Sequence, residues 1–157
     1  MSDDSHISIN NSQYDAAKFL KFGCFVEQEE ALWQGSTPRE IFEFCAKIKT
    51  NMSALQIKKR VDYLLYLLGL QDCQHTPCGG MFIDGLSGGE RKRTSIGCEL
   101  VTLPKLIILD EPTSGLDSEC ALSIMKYLKK LTKLNNTTII CSIHQPSSKI
   151  MALCDQV

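Results

Sequence analysis

The apolar run at residues 106–109 constrains the fold of this chain more than any other stretch of the sequence. It reads LIIL, follows Pro104 closely and continues directly into Asp110-Glu111-Pro112. Aliphatic residues without polar alternation are typical of a strand that is covered on both faces, as in a parallel sheet. The sequence therefore predicts an α/β fold with this strand inside a parallel sheet.

Two carboxylates follow this strand at its carboxyl end. Ligands of parallel sheets bind beyond the carboxyl ends of the strands, so Asp110 and Glu111 are predicted to face a functional crevice. A carboxylate at the strand end can hold Mg²⁺, because a hard cation prefers oxygen ligands. The next carboxylate, displaced to another direction, can polarise an attacking water. An isolated D-E-P sequence fits a surface turn equally well, so the interpretation depends on its surroundings.

A glycine-rich helix start lies upstream of the acids. Ser87-Gly88-Gly89-Glu90 has the S-x-x-E spacing of a capping box, which by itself predicts only a capped helix. Because Gly88 and Gly89 have no side chains, the N–H groups of the first turn stay accessible. The positive end of the helix dipole then favours an anion such as phosphate, and Ser87 adds a hydroxyl donor.

A second β-prone run, TTIICSI at residues 137–143, predicts another buried strand. This strand would deliver His144 to the same edge of the sheet as the two acids. A single histidine after a strand is more often structural than catalytic. Its expected arrival beside Asp110 and Glu111 favours the functional interpretation.

The middle of the chain is predicted to be helical. Thr37 and Glu40 form a capping-box pattern around Pro38, and a second helix starts at Ser53 and stops at Gly69. A third helix is predicted from Ala121 to Leu134. The first two helices carry apolar stripes that are expected to be core, formed by Ile41, Phe42, Cys45 and Ile48 in one and by Ile57, Val61, Leu64, Leu65 and Leu68 in the other.

Composition excludes several classes of function. The formal net charge is -1, so no basic field is expected to attract nucleic acid. No apolar run approaches the roughly 18 residues that span a bilayer. The eight cysteines include no C-x-x-C pair and are expected to be reduced thiols. Cys73, His75 and Cys78 are too few and too irregularly spaced to predict a metal site.

Taken in order, these motifs resemble those of the ATP-binding cassette (ABC) ATPases. LSGGE is similar to the signature motif of that family, LIILDEP to its Walker B strand, SGLD to its D-loop and His144 to its switch histidine. The segment at residues 27–30, EQEE, is similar to the Q-loop. Three segments resemble those of the G subfamily, the White-type half-transporters of eukaryotes. They are SGGERKRTSIGCELV, DEPTSGLDS and SIHQPS.

The resemblance implies a partial P-loop NTPase (ABC ATPase) core sheet with an inserted helical subdomain. Residues 1–30 would form a core segment with the Q-loop, residues 31–86 the helical subdomain, and residues 87–157 the signature, Walker B, D-loop and switch-histidine region. The segment at residues 6–10 resembles the strand that follows the Walker A helix, so the chain would begin after the Walker A region.

The phosphate-binding loop G-x-x-x-x-G-K-[ST] is absent from the 157 residues. The stretch from Gly80 to Ser87 has the glycine spacing, but Leu86 stands where the lysine is required. The sequence therefore predicts half of an ATP site. We expect the isolated chain to turn over no appreciable ATP.

The resemblance implies catalytic roles for four residues. Asp110 would help to hold Mg²⁺, Glu111 would be the general base for the hydrolytic water, and His144 would contact the γ-phosphate of ATP. Gln28 would touch the Mg²⁺ or the water and couple the site to a transmembrane domain. The exposed surface for that domain would include Phe25, Trp33, Glu29 and Glu30.

The resemblance also implies a second ABC ATPase domain, arranged head to tail. In such dimers the signature loop contacts the ATP that the opposite subunit holds. A partner's nucleotide would thus bind at residues 87–90, namely Ser87, Gly88, Gly89 and Glu90. Asp117 would lie at the same interface, together with Ser114 and Gly115.

These implications predict a fragment of the ATP-hydrolysing domain of a transporter for a lipid or other hydrophobic compound, at the cytoplasmic face of a membrane. The alternative is a non-catalytic module that supplies signature and D-loop to a catalytic partner. An ATPase of the chromosome-maintenance type fits less well, because it requires a long heptad segment before the signature.

Overall fold

The computed structural model describes residues 8–9, 12–13, 15, 19, 22–29, 31–80 and 84–157. Glu30, most of the segment at residues 6–10 and residues 81–83 of the glycine-spaced stretch lie outside the described residues. Three parallel strands form the main sheet in the order β3-β4-β5, where β3 is Gly23–Val26, β4 is Leu106–Leu109 and β5 is Thr138–Cys141. A short antiparallel pair precedes them, with β1 at Ser8–Ile9 and β2 at Ser12–Gln13.

The register of the sheet brings the three strand ends to one level. Val26 lies opposite Leu109, and Leu109 lies opposite Cys141. The segments that follow the strands, at residues 27–29, 110–115 and 142–146, therefore leave the sheet at the same edge. The predicted α/β fold with a parallel sheet is confirmed.

The predicted burial of β5 is wrong. Its residues alternate between exposed and half-buried, and Ile140 is 55% exposed. Within the described residues β5 pairs with β4 alone, so it is an edge strand whose apolar side chains are only partly covered. A groove of about 990 Å³ opens between this strand, the following C-terminal segment and the helix that precedes the strand.

Five helices surround the sheet in the described part of the chain. They are α1 (Pro38–Lys49), α2 (Ala54–Leu67), α3 (Gly88–Leu100), α4 (Ser118–Asn135) and the short α5 (Ser148–Met151). The capping boxes predicted at the starts of α1 and α3 are present, and Ser53 and Gln56 form a third at α2. None of these helices is long and apolar enough to cross a membrane.

A residue in the left-handed backbone conformation follows the last turn of α2 and of α4. Gly69 follows α2 with φ +63°, and Asn136 follows α4 with φ 52°, as expected for residues that tolerate this conformation. At Gly69 a side chain would also overlap the hydroxyl of Tyr127 on α4. The sequence signals for the ends of both helices are therefore confirmed.

The core forms where α1 packs against α2 and α3. Phe42 of α1 is fully buried and fills the space above Gly97 of α3, where a Cβ atom would overlap the Phe42 ring. The predicted place of Ile48 in the buried stripe is wrong, since its side chain is 66% exposed and Ala46 is buried instead. Ile48 lies on the same side of α1 as the exposed Phe44, four residues earlier, and neither α2 nor α3 covers that side.

Candidate functional site

The segments after β3 and β4 are joined by the side chain of Gln28. Its Nε2 donates hydrogen bonds to Oε2 of Glu111 and to Oγ of Ser114, each at 3.1 Å. The sequence-predicted pair of Gln28 and Glu111 is therefore brought together. A donor that contacts the Glu111 carboxylate fixes the orientation of that carboxylate.

Asp110 and Glu111 are held from the other side by Ser142, which follows β5. The Ser142 hydroxyl donates to Oδ1 of Asp110 at 2.7 Å and accepts from the backbone N–H of Glu111 at 2.9 Å. Sequence reasoning missed this residue. The available signal was a hydroxyl at the end of the predicted strand, two residues before His144.

Glu111 has an uncommon backbone conformation, with φ 40°. A non-glycine residue in the left-handed region is strained, and such strain clusters at functional sites. The bond from Ser142 to the Glu111 N–H and the bond from Asp110 N–H to the Val26 carbonyl, at 2.9 Å, both help to hold this segment. The strained turn separates the directions of the two carboxylates.

A small cavity of about 210 Å³ lies at this edge of the sheet. Its lining includes Glu111 and His144, which approach it from the ends of β4 and β5, together with Thr113, Ser114 and Gly115. A carboxylate, an imidazole and hydroxyl groups therefore surround a space that is large enough for a small polar group. Gly115 turns the loop with φ +72°, a conformation that favours glycine.

The oxygen atoms at this site fit Mg²⁺. Asp110 is exposed and uses one carboxylate oxygen for Ser142, which leaves its other oxygen for a cation. Gln28 uses its Nε2 for Glu111 and Ser114, so its side-chain carbonyl oxygen remains a possible ligand. Carboxylate and amide oxygens are hard donors of the kind that Mg²⁺ binds.

The helix start predicted to bind an anion lies elsewhere, at the N-terminus of α3. Ser87 Oγ accepts from the Glu90 N–H at 3.3 Å, and Oε2 of Glu90 accepts from Ser87 N and Oγ at 2.8 Å each. Burial works to raise the pKa of Glu90, but the pKa is lowered because the hydrogen bonds from Ser87, a further one from Cys73 and the charge of Arg93 together outweigh burial. The Glu90 carboxylate is therefore occupied as the cap of its own helix.

The glycines of this helix start pack against the beginning of α4. A Cβ atom at Gly88 would lie 3.4 Å from Leu116, and one at Gly89 would lie 3.4 Å from the Cys120 sulfur. Asp117 caps α4 by accepting from the N–H groups of Glu119 and Cys120, at 2.9 Å each. The predicted signature and D-loop thus form one surface, whereas Ser87–Glu90 do not line the 210 Å³ cavity.

Lys92 connects the surface at the N-terminus of α3 with the cavity edge of the sheet, and no sequence pattern predicted this connection. Its side chain lies on α3 and is 3% exposed, with Nζ donating to the carbonyl of Gln28 at 2.8 Å and to that of Glu27 at 3.3 Å. The helix that begins at the glycines is therefore bonded to the backbone that carries the Gln28 side chain. No sequence pattern marks this lysine, because the contact depends on how α3 docks against β3.

Lys92→Met provides a test of this link. The change keeps the aliphatic stem and removes the charged donor to two carbonyls, so we expect amide hydrogen exchange at residues 27–29 to accelerate by about tenfold or more. Hydrogen-exchange mass spectrometry measures the exchange rates of these amides, and the free energy of unfolding of each variant is measured as a control. Lys58→Met, on the exposed side of α2, should leave exchange at residues 27–29 unchanged. Equal exchange in both folded variants would contradict the link.

The parallel sheet carries two carboxylates, an amide and an imidazole at its strand ends and is joined to a helix that Ser87 caps and two glycines begin. This arrangement is that of a partial P-loop NTPase core. The sequence profile of the ABC transporter family matches residues 3–114. The chain therefore belongs to the ABC transporter family, within its ATPase domain.

Relatives in the G subfamily confirm the resemblance seen in the motifs. The chain is 48% identical over 145 residues to ABC transporter G family member 12 of Dictyostelium discoideum, covering 88% of this chain and 23% of that relative. It is 40% identical over 145 residues to ABC transporter G family member 5 of Arabidopsis thaliana, covering 92% and 22% respectively. The chain thus spans about a quarter of the length of these relatives.

A solved structure agrees with the fold. The protein cbiO1 from Clostridium perfringens, part of the ABC transporter complex cbiONQ, superposes with a TM-score of 0.70 at 29% sequence identity. The match covers 88% of this chain and 56% of that protein.

Proposed function

We propose that this chain is part of the ATP-hydrolysing domain of a White-type ABC transporter that moves a lipid or other hydrophobic compound. The observation that supports this most is the hydrogen-bonded cluster of Gln28, Glu111 and Ser114, with His144 lining the same cavity. A carboxylate beside an imidazole at the carboxyl edge of a parallel sheet suits activation of a water against a phosphate.

In this proposal four side chains divide the chemistry, and Gln28 uses both ends of its amide. Glu111 takes the proton of the attacking water, and Gln28 orients the Glu111 carboxylate through its Nε2. His144 donates to the γ-phosphate from the opposite wall of the cavity. Asp110 and the Gln28 carbonyl oxygen would hold Mg²⁺, which supplies positive charge to the phosphates when bound.

The proposal includes two protein partners. A second ABC ATPase domain would meet the surface formed by Ser87–Glu90 and Asp117, and its ATP would be bound there. A transmembrane domain would meet exposed aromatic side chains, namely Phe25 and the edge-to-face pair of Trp33 and Phe44, whose ring centroids are 4.4 Å apart. The packing of α1 and α2 beside α3 supports residues 31–86 as the helical subdomain. In the proposal, the domain would lie at the cytoplasmic face of a membrane.

A chimaera tests this function. Residues of this chain would replace the matching segment of Dictyostelium discoideum G family member 12, which is 23% of that relative. We expect the folded chimaera to hydrolyse ATP within about tenfold of the unmodified relative, since 1.4 kcal/mol of altered positioning corresponds to tenfold. A chimaera that folds and binds ATP but lacks turnover would contradict a catalytic role and favour the non-catalytic module.

A further inference from the structure

Two cysteines meet where α1 packs against α3. Cys45 lies one turn after Phe42, which covers Gly97, and one turn before Lys49, which donates to the Cys98 carbonyl. Its side chain therefore faces Cys98 and interacts with it, and both cysteines are partly exposed. The helices approach closely at this level because Gly97, next to Cys98, has no side chain and Phe42 occupies the space. The two thiols are therefore held together at a packed helix contact.

A salt bridge flanks the thiol pair on the side of the last turn of α1. Lys49 Nζ lies 2.6 Å from Oε1 of Glu99 and donates to the carbonyl of Cys98 at 3.5 Å. While both thiols are protonated, the Cys98 S–H donates to the Thr94 carbonyl within α3, at 3.3 Å. This single hydrogen can turn towards Cys45 once the Cys45 thiol is ionised. The charged groups near Cys45 are thus a lysine on its own helix and a glutamate on the facing helix.

This setting makes the two thiols chemically unequal. The hydrogen bond from Cys98 is the largest influence on Cys45 and lowers its pKa to about 7; Lys49 lowers it further, while burial and Glu99 oppose the shift. The same hydrogen bond and burial raise the pKa of Cys98. Near neutral pH, Cys45 is thus the nucleophile, and Cys98 is a protonated neighbour in contact with it.

Other cysteines lack this arrangement. Cys24 on β3 experiences the same Lys49 and Glu99 charges, but burial raises its pKa to about 12. Burial is also the main cause that raises the pKa of Cys73, to about 11. Proximity to Lys49 is therefore insufficient, because Cys24, which has no thiol among its interacting groups, keeps a raised pKa.

We propose that Cys45 and Cys98 form a redox-active dithiol site that low-molecular-weight disulfides such as oxidised glutathione convert to an intramolecular disulfide between α1 and α3. Two thiols that interact across one helix contact are placed for a sulfur–sulfur bond of about 2.05 Å. The site lies away from the residues of the proposed ATP chemistry, so it does not depend on the proposed function.

The reaction proceeds by two thiol–disulfide exchanges. The Cys45 thiolate attacks one sulfur of oxidised glutathione, the sulfur–sulfur bond breaks, and one glutathione leaves as a thiolate. Cys98 then loses its proton to that thiolate and attacks the Cys45 sulfur of the mixed disulfide. The Cys45–Cys98 bond forms, and the second glutathione leaves and takes up the proton that Cys45 had released. Two cysteine thiols are oxidised, and one glutathione disulfide is reduced to two thiols.

Mass spectrometry of the purified, folded chain after incubation with oxidised glutathione tests the proposal. We expect a product lighter by two hydrogen atoms, a peptide pair linked through Cys45 and Cys98, and reversal by dithiothreitol. In Cys98→Ser the reaction should stop at a glutathione adduct on Cys45, since the second thiol is missing. In Cys45→Ser neither product should form, whereas Cys24→Ser should react as the unmodified chain does.

The rate of Cys45 alkylation against pH gives a second readout that requires no disulfide. Because the thiolate is the reactive form, the rate should rise as pH passes through about 7. Cys98→Ala removes the donor and should move this midpoint up by about one unit or more, and Cys98→Ser, which keeps an O–H donor, should move it less. The proposal would be overturned if the folded chain formed no Cys45–Cys98 linkage and the pH midpoint of Cys45 alkylation lay near the ordinary pKa of a cysteine.

Discussion

Glu111→Gln in the folded chimaera is expected to lower ATP turnover by about 10²-fold or more, the usual contribution of a general base. Glutamine has nearly the same shape as glutamate but cannot accept the proton of the attacking water. Its side-chain oxygen can still accept from Gln28 Nε2, so the local hydrogen bond in this structure is retained. Nucleotide binding should therefore persist while phosphate release stops.

The matched control is Glu119→Gln, which makes the same change on the exposed first turn of α4. Its turnover should equal that of the unmodified chimaera, measured as phosphate release on samples whose ATP binding is checked by calorimetry. Retention of turnover by Glu111→Gln would remove Glu111 as the general base. Loss of turnover in both variants would indicate a general structural effect.

Phe42→Ala is expected to destabilise the chain by about 3–5 kcal/mol, the range for truncating a buried aromatic side chain. Phe42 is fully buried and fills the space over Gly97 where α1 meets α3. Its removal leaves a cavity at the contact that joins the helical region to the signature helix. Such a loss is a large part of the roughly 5–15 kcal/mol that stabilises a typical domain.

Phe44→Ala offers the control, because it makes the same substitution two residues away on the same helix. Phe44 is 43% exposed and contacts Trp33 at the surface, so its truncation should cost less than half as much. Urea denaturation followed by circular dichroism measures both free energies of unfolding. Equal losses in the two variants would contradict the assigned packing of α1.

Local signals in the sequence predicted most of the secondary structure. The starts of α1 and α3 follow from the pairs Thr37–Glu40 and Ser87–Glu90, since a capping box involves only residues three apart. The strand β4 and its two terminal acids follow from the apolar run and from Pro112. These features need no information about distant parts of the chain.

Contacts between distant segments could not be predicted in this way. The bonds of Ser142 to Asp110 and of Lys92 to the Gln28 carbonyl depend on strand register and helix docking. For the same reason the exposure of Ile140 was missed, because apolar composition does not reveal whether a strand has one neighbour or two. The candidate site was therefore predicted as a set of residues, and its hydrogen bonds were not.

Calorimetric titration of Mg-ATP into the folded 157-residue chain, with ATP hydrolysis assayed on the same sample, tests the half-site interpretation most directly. We expect neither binding nor turnover, because these residues contain no G-x-x-x-x-G-K-[ST] loop and Asp110 and Glu111 repel the phosphates. A chimaera whose added segment carries a G-x-x-x-x-G-K-[ST] loop should bind and hydrolyse ATP. Micromolar binding by the chain alone, with turnover that Glu111→Gln abolishes, would contradict the interpretation and place a phosphate cradle within these residues.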